Sequence, residues 1–160
     1  MPVMSFSFPL LLAAALRMAL ALALTTPIAR ERELHDMSAG LRTFPIVALG
    51  SCALVLLVSS EFPPGSIPVM YVIQGIVTGV GFIGGGAILK AQDRVRGTAT
   101  AASIWSTAAI GACVGLGHAE IAIVLSLFTY FTLWLVNRLE AKHMIPPTPE
   151  SGGGPGATAR

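Results

Sequence analysis

Apolar residues run through this chain in five long blocks, and polar residues are confined to short stretches between them. The blocks cover about Phe6–Ala29, Phe44–Ser60, Ile67–Leu89, Thr98–Leu116 and Ile121–Val136. None alternates with the two-residue period of a half-buried strand, and a spanning helix needs about 20 apolar residues at 1.5 Å each. The pattern predicts an all-α fold, an integral membrane bundle of five transmembrane helices. Gly40, the Pro-Pro-Gly of Glu61–Ser66, the polar stretch Lys90–Gly97 and the Gly117-His118 turn separate them. Pro45 falls in the first turn of the second block, where its missing N–H costs little.

The cations set the expected orientation. Arg30, Arg32 and Arg42 follow the first block, Lys90, Arg94 and Arg96 the third, and Arg138 and Lys142 the fifth. The intervening loops carry none. Alternation of this kind predicts an amino terminus outside and a carboxyl terminus in the cytoplasm. One membrane domain is expected over residues 6–142. Residues 143–160, rich in Pro and Gly without apolar periodicity, are expected to form a disordered cytoplasmic tail.

Composition agrees. Hydrophobic residues make up 54% of the chain and charged residues 11%, against about 25% charged in soluble domains. The net charge of +2 is spread over small clusters without interleaved aromatics, which excludes a nucleic-acid partner. Cys52 and Cys113 lie inside apolar blocks without metal-ligand spacing and read as small hydrophobes. No Ser, His or Cys stands in a nucleophile context, and His35, His118 and His143 fall in loops or at ends. An enzyme is not expected, nor are a cofactor or a resident metal.

Ten of the seventeen glycines lie between Gly75 and Gly117. Gly79-Val80-Gly81-Phe82-Ile83-Gly84 spells the dinucleotide fingerprint, but it lacks the preceding strand and Ala99 stands where an acid is required. Gly84–Lys90 is not a phosphate loop either. Close helix packing explains these residues better, since small side chains let spanning helices approach. The expected packing residues are Gly75, Gly79, Gly81 and Gly85 on the third helix. On the fourth they are Thr100, Ser103, Thr107, Gly111 and Gly115, spaced by three and four along one face. The two helices are expected to form a tight pair, with hydroxyls bonding across it and Ile104, Trp105 and Ile110 off the stripe. A second reading breaks the third helix at Gly84–Gly86, exposing carbonyls to a cation.

Arg17 interrupts the first block deep in the hydrocarbon. It either snorkels or pairs with a carboxylate or with helix-end carbonyls, Glu61 and Glu120 being the acids on its side. Glu31, Glu33 and Asp36 interleave with Arg30 and Arg32 as an ion-paired border, or as a weak site for a hydrated Mg²⁺.

Three segments carry a family resemblance. Glu31-Arg32-Glu33, Ala39-Gly40-Leu41-Arg42-Thr43 and Val47-Ala48-Leu49-Gly50 resemble the E-R-E, A-G-L-R-T and V-A-L-G pattern of the MgtC/SapB family of bacterial inner-membrane proteins. Gly79–Gly86 is similar to its G-I-G-F-L-G-A-G run. Gly97, Thr100–Ser103 and Trp105 are similar to its G-L-T-T-A-A-S-x-W segment. Thr25 and Ala29 replace two glycines of the family pattern, Phe44-Pro45 replaces a polar residue, and Thr98-Ala99 stand for Leu-Thr. The resemblance covers about Leu16 to Val136. It implies an inner-membrane location and a magnesium-limitation or stress setting, and it makes Arg17, Glu31, Arg32, Gly40, Arg42, Thr43, Gly97 and Trp105 the candidate functional residues. It does not establish Mg²⁺ contact. The expected partners are the bilayer and a second copy or another membrane protein. The alternative is a small ion carrier using Arg17, Gln74, Thr78 and Gly84–Gly86.

Overall fold

A computed structural model describes residues 7–34, 39–91 and 94–142; of residues 89–91, 94–96 and 140–142 only the backbone is described. The expected tail and Asp36 lie outside the described residues. Five helices form: α1 Phe8–Leu34, α2 Thr43–Glu61, α3 Ile67–Gly86, α4 Thr98–Leu116 and α5 Ala119–Lys142. All five are long and apolar enough to cross a membrane.

The helix ends depart from the apolar blocks in ways the local chemistry explains. α1 continues past Ala29 through Arg30-Glu31-Arg32-Glu33-Leu34, because these straight-chain residues are good helix formers even where they leave the apolar zone. Pro27 is accommodated inside it. Immediately before it the hydroxyls of Thr25 and Thr26 donate to the carbonyls of Ala21 (2.8 Å) and Leu22 (2.7 Å). α3 stops at Gly86, three residues before its apolar block ends. The basic link expected after it instead folds into an antiparallel ribbon, β1 Leu89–Ala91 with β2 Arg94–Arg96, Lys90 facing Val95 in register. α4 is bounded by glycines at both ends, Gly97 and Gly117, each at φ +88°. At its far end the His118 N–H donates to the Cys113 carbonyl (2.9 Å) and the Gly117 N–H to that of Val114 (3.0 Å). This two-bond stop needs a left-handed residue and so a glycine.

α4 is the centre of the bundle. More than half of its span, 56%, is buried, against 11–28% for the other four. It packs on all of them, while α3, α2, α1 and α5 follow one another around it as an arc. α3 and α5 do not pack substantially on each other. The arc is therefore open along one side of α4.

Candidate functional site

α4 shows why the glycines lie where they do. α2 and α4 run parallel, and their seam is the tightest in the fold. A side chain on Gly111 would collide with the Ala48 carbonyl oxygen and reach within 2.9 Å of its Cα. One turn on, a side chain on Gly115 would come within 2.8 Å of the Val55 Cβ and 2.9 Å of the Cys52 oxygen. The Ala48, Cys52 and Val55 side chains are fully buried against this seam. Backbone is in contact with backbone, which only glycine permits.

This corrects the expected pairing. α4 packs on α3, but the close backbone approach is with α2, whose Ala48-x-x-x-Cys52 spacing was the available signal. On α3, side chains added at Gly75, Gly79, Gly81 and Gly85 would meet nothing within 4 Å, and all four glycines are exposed. Gly84 is the α3 glycine that approaches α4: a side chain added there would lie 3.4 Å from the Ala101 carbonyl oxygen. Nor is the small-residue stripe of α4 its single packed face. Ile104 and Ile110, expected off it, are as buried as Thr100, Ser103 and Thr107, because α4 is enclosed from several sides. Trp105 alone among these is exposed, at 47%, and so marks the open side of the arc.

The α4 hydroxyls do not bridge helices either. Ser103 donates to the Ala99 carbonyl and Thr107 to the Ser103 carbonyl, each at 2.7 Å. A carbonyl four residues back on the same helix satisfies the donor without any partner helix. The Thr100 hydroxyl is fully buried with no hydrogen-bond partner among the described residues. One polar bridge between helices comes from a residue whose only signal was isolation in apolar sequence. Ser126 of α5 donates to the Leu24 carbonyl of α1 at 2.6 Å. Nor does α3 break at Gly84–Gly86. It is continuous to Gly86, and the Ala87 and Ile88 N–H groups donate to the carbonyls of Ile83, Gly84 and Gly85.

The family-like residues gather at two ends of the bundle. At one, Glu31 and Arg32 are buried, 8% and 3% exposed, which for charged side chains requires compensating partners. The Asn137 side-chain amide of α5 donates to the Glu31 carboxylate at 2.9 Å, tying α1 to α5. Glu33 reaches over to accept from the Leu41 N–H at 3.1 Å. Gly40 lies beside it, and a side chain there would push the Glu33 carboxylate out of this position. Arg42 is exposed, and Thr43 begins α2. Gly97 lies against the Ala87 carbonyl, with no room for a side chain and a left-handed backbone. So the Glu33–Gly40 contact fixes the α1–α2 connection and Gly97 fixes the entry to α4. Among the described residues no three His, Cys, Asp or Glu side chains converge in a group suited to a metal ion.

At the other end Arg17 leans on the exit of α4. Its Nη1 donates to the Gly115 carbonyl at 3.1 Å. Helix-end carbonyls carry partial negative charge, so the guanidinium caps α4 electrostatically as well. Neither Glu61 nor Glu120 pairs with it, and Glu120 is instead 3.3 Å from His118 Nδ1.

Comparison with known proteins identifies the family. The MgtC family model matches residues 18–142. SrpB of Synechococcus elongatus is 35% identical over 136 residues, 78% of this chain and 75% of that protein. The putative magnesium transporter YhiD of Escherichia coli K12 is 35% identical over 136 residues, 81% of this chain and 63% of its own length. MgtC of Salmonella typhimurium is 37% identical over 102 residues, 62% of this chain but 42% of that protein. No solved structure matches the chain. With five spans on an α4 core and a family match running from α1 through α5, the chain belongs to the MgtC family.

Proposed function

We propose that this protein is a non-enzymatic component of the bacterial inner membrane that acts by associating, through α3, with a second copy or with another membrane protein. The observation that carries this is the open glycine face of α3. Among the described residues, side chains added at Gly75, Gly79, Gly81 and Gly85 would meet nothing within 4 Å, although glycine weakens a helix by about 1 kcal/mol relative to Ala. In a bilayer such a surface gains its contacts from another helix that comes close. Around the helix Phe82 and Tyr71, 86% and 70% exposed, lie between the Gly75/Gly79 pair and the Gly81/Gly85 pair and offer area to a partner. The setting we assign is adaptation to scarce magnesium, which the name of the Escherichia coli relative supports. The cation alternation puts the Glu31–Gly40–Gly97 end in the cytoplasm and the Arg17 end outside.

The test is growth of a deletion strain at limiting magnesium, complemented by Gly79→Leu or Gly81→Leu. Both variants should keep wild-type helicity and melting yet fail to complement, and both should lose the native complex. Full complementation by both would refute the reading.

The alternative, a small Mg²⁺ carrier, also draws on that relative's name. Gln74 and Thr78 lie on the exposed face of α3, whereas Arg17 lies with α1 and α4, so an ion path using all three would run between copies. Flux into liposomes that depends on Gln74 would favour this reading over the first.

A further inference from the structure

Arg17 does more than cap α4. A cleft of about 280 Å³ opens between the first half of α1 and the last two turns of α2. Its walls are Leu10, Ala13, Ala14, Leu56 and Leu57, and its polar groups are Arg17 and Ser60. One wall is therefore hydrocarbon and the other end is a guanidinium. Arg17 lies about 14 Å along α1 from Phe8 and about 20 Å from Arg30, at 1.5 Å per residue, so it stands within the apolar zone. Ser60 lies beside Glu61, where α2 ends. The cleft thus descends from the membrane surface to a cation held below it.

Among the described residues no carboxylate neutralises that cation. Arg17 uses Nη1 on the neutral Gly115 carbonyl, and no carboxylate lies within 4 Å of it among the described residues. An arginine carries five N–H donors, so most remain free to face the cleft. A full positive charge in hydrocarbon is costly unless an anion or water reaches it. What fits is an anion carrying an apolar tail, able to enter from the lipid side.

We propose that this cleft binds one anionic phospholipid, its phosphate on the Arg17 guanidinium and an acyl chain along Leu10, Ala13, Leu56 and Leu57; the Ser60 hydroxyl, at the mouth, donates to the Leu57 carbonyl at 2.7 Å. Charge complementarity chooses this occupant over a zwitterionic lipid, whose added cation gains nothing beside Arg17. The acyl-lined walls choose it over free phosphate. The bound lipid would bridge α1, α2 and the end of α4.

The test uses full-length protein in nanodiscs of phosphatidylcholine doped with phosphatidylglycerol that carries a photoactivatable acyl chain, with mapping of the labelled peptides. Labelling should fall on the segments Leu10–Arg17 and Leu56–Ser60. It should exceed that by the matching phosphatidylcholine probe, whose choline cation offsets the same phosphate, by about tenfold. Arg17→Gln should erase the preference, and Arg17→Lys should restore part of it. Ala13→Phe, which fills the cleft without touching the Gly115 contact, should reduce labelling by both probes while melting stays near wild type. Equal labelling by the two probes, a preference that survives Arg17→Gln, or full competition by 10 mM inorganic phosphate (on the order of a saturating dose for a weak anion site) would overturn the proposal.

Discussion

Replacing Gly111 by Ala is the sharpest probe of the fold. The new methyl would fall 2.9 Å from the Ala48 Cα and closer still to its carbonyl oxygen. Comfortable contact between carbons is about 3.5–4.0 Å, so α2 and α4 must separate by roughly 1 Å. Nothing nearby can rotate away, because the obstacle is backbone. A gap of that size forfeits about a quarter to a half of each dispersion contact along the seam, and overpacking of this kind costs about 1–3 kcal/mol. Ala offsets part of that with its better helix propensity, up to about 1 kcal/mol. The expected net loss is about 1–2 kcal/mol. Reversible unfolding in micelles, followed by circular dichroism, measures it. Gly79→Ala is the internal control. Its methyl meets nothing within 4 Å, so only the propensity gain remains and the variant should be at least as stable as wild type. If Gly111→Ala proved as stable as Gly79→Ala, the claim that α2 and α4 meet backbone to backbone would fail.

Other positions give independent checks. Gly97→Ala places a side chain at φ +88° and against the Ala87 carbonyl; the left-handed backbone alone costs about 1–2 kcal/mol, so unfolding should show at least that loss. Ser126→Ala removes the 2.6 Å bond to the Leu24 carbonyl and should cost about 0.6–1.7 kcal/mol by the same measurement; no change would mean that lipid-phase partners replace the bond. Asn137→Leu takes away a donor to the buried Glu31 carboxylate and should destabilise by about 1–3 kcal/mol, with partial recovery in the double variant Glu31→Leu/Asn137→Leu.

The spans were legible because bilayer thickness imposes a length and an apolar composition on every one of them. Glycine positions were legible, but not what they contact. Gly79 and Gly111 carry the same spacing signal, yet one is exposed and the other is wedged against Ala48. Sequence alone cannot tell which face of a helix meets protein and which meets lipid when both are apolar. The ribbon Leu89–Ala91/Arg94–Arg96 was missed because a three-residue strand is too short to show a period. Ser126 was missed because a single polar residue in an apolar run gives no direction, and Asn137 because, next to Arg138 just past the fifth block, it reads as a solvated helix end. Arg17 was recognised as costly in lipid, and a helix-end carbonyl was among the partners weighed. The structure selects that carbonyl over either acid because the exit of α4 ends beside α1.

The central claim is that α4 against α2 builds the fold while the glycine face of α3 is left for a partner. Phe82 is 86% exposed on that face and Phe128 is 69% exposed on α5. Placing p-benzoylphenylalanine at each position in living cells and irradiating intact membranes tests it directly. Strong crosslinking from position 82 to a second copy or to one defined membrane protein, with little from position 128, is the predicted result. Equal or absent protein crosslinking at the two positions would contradict it.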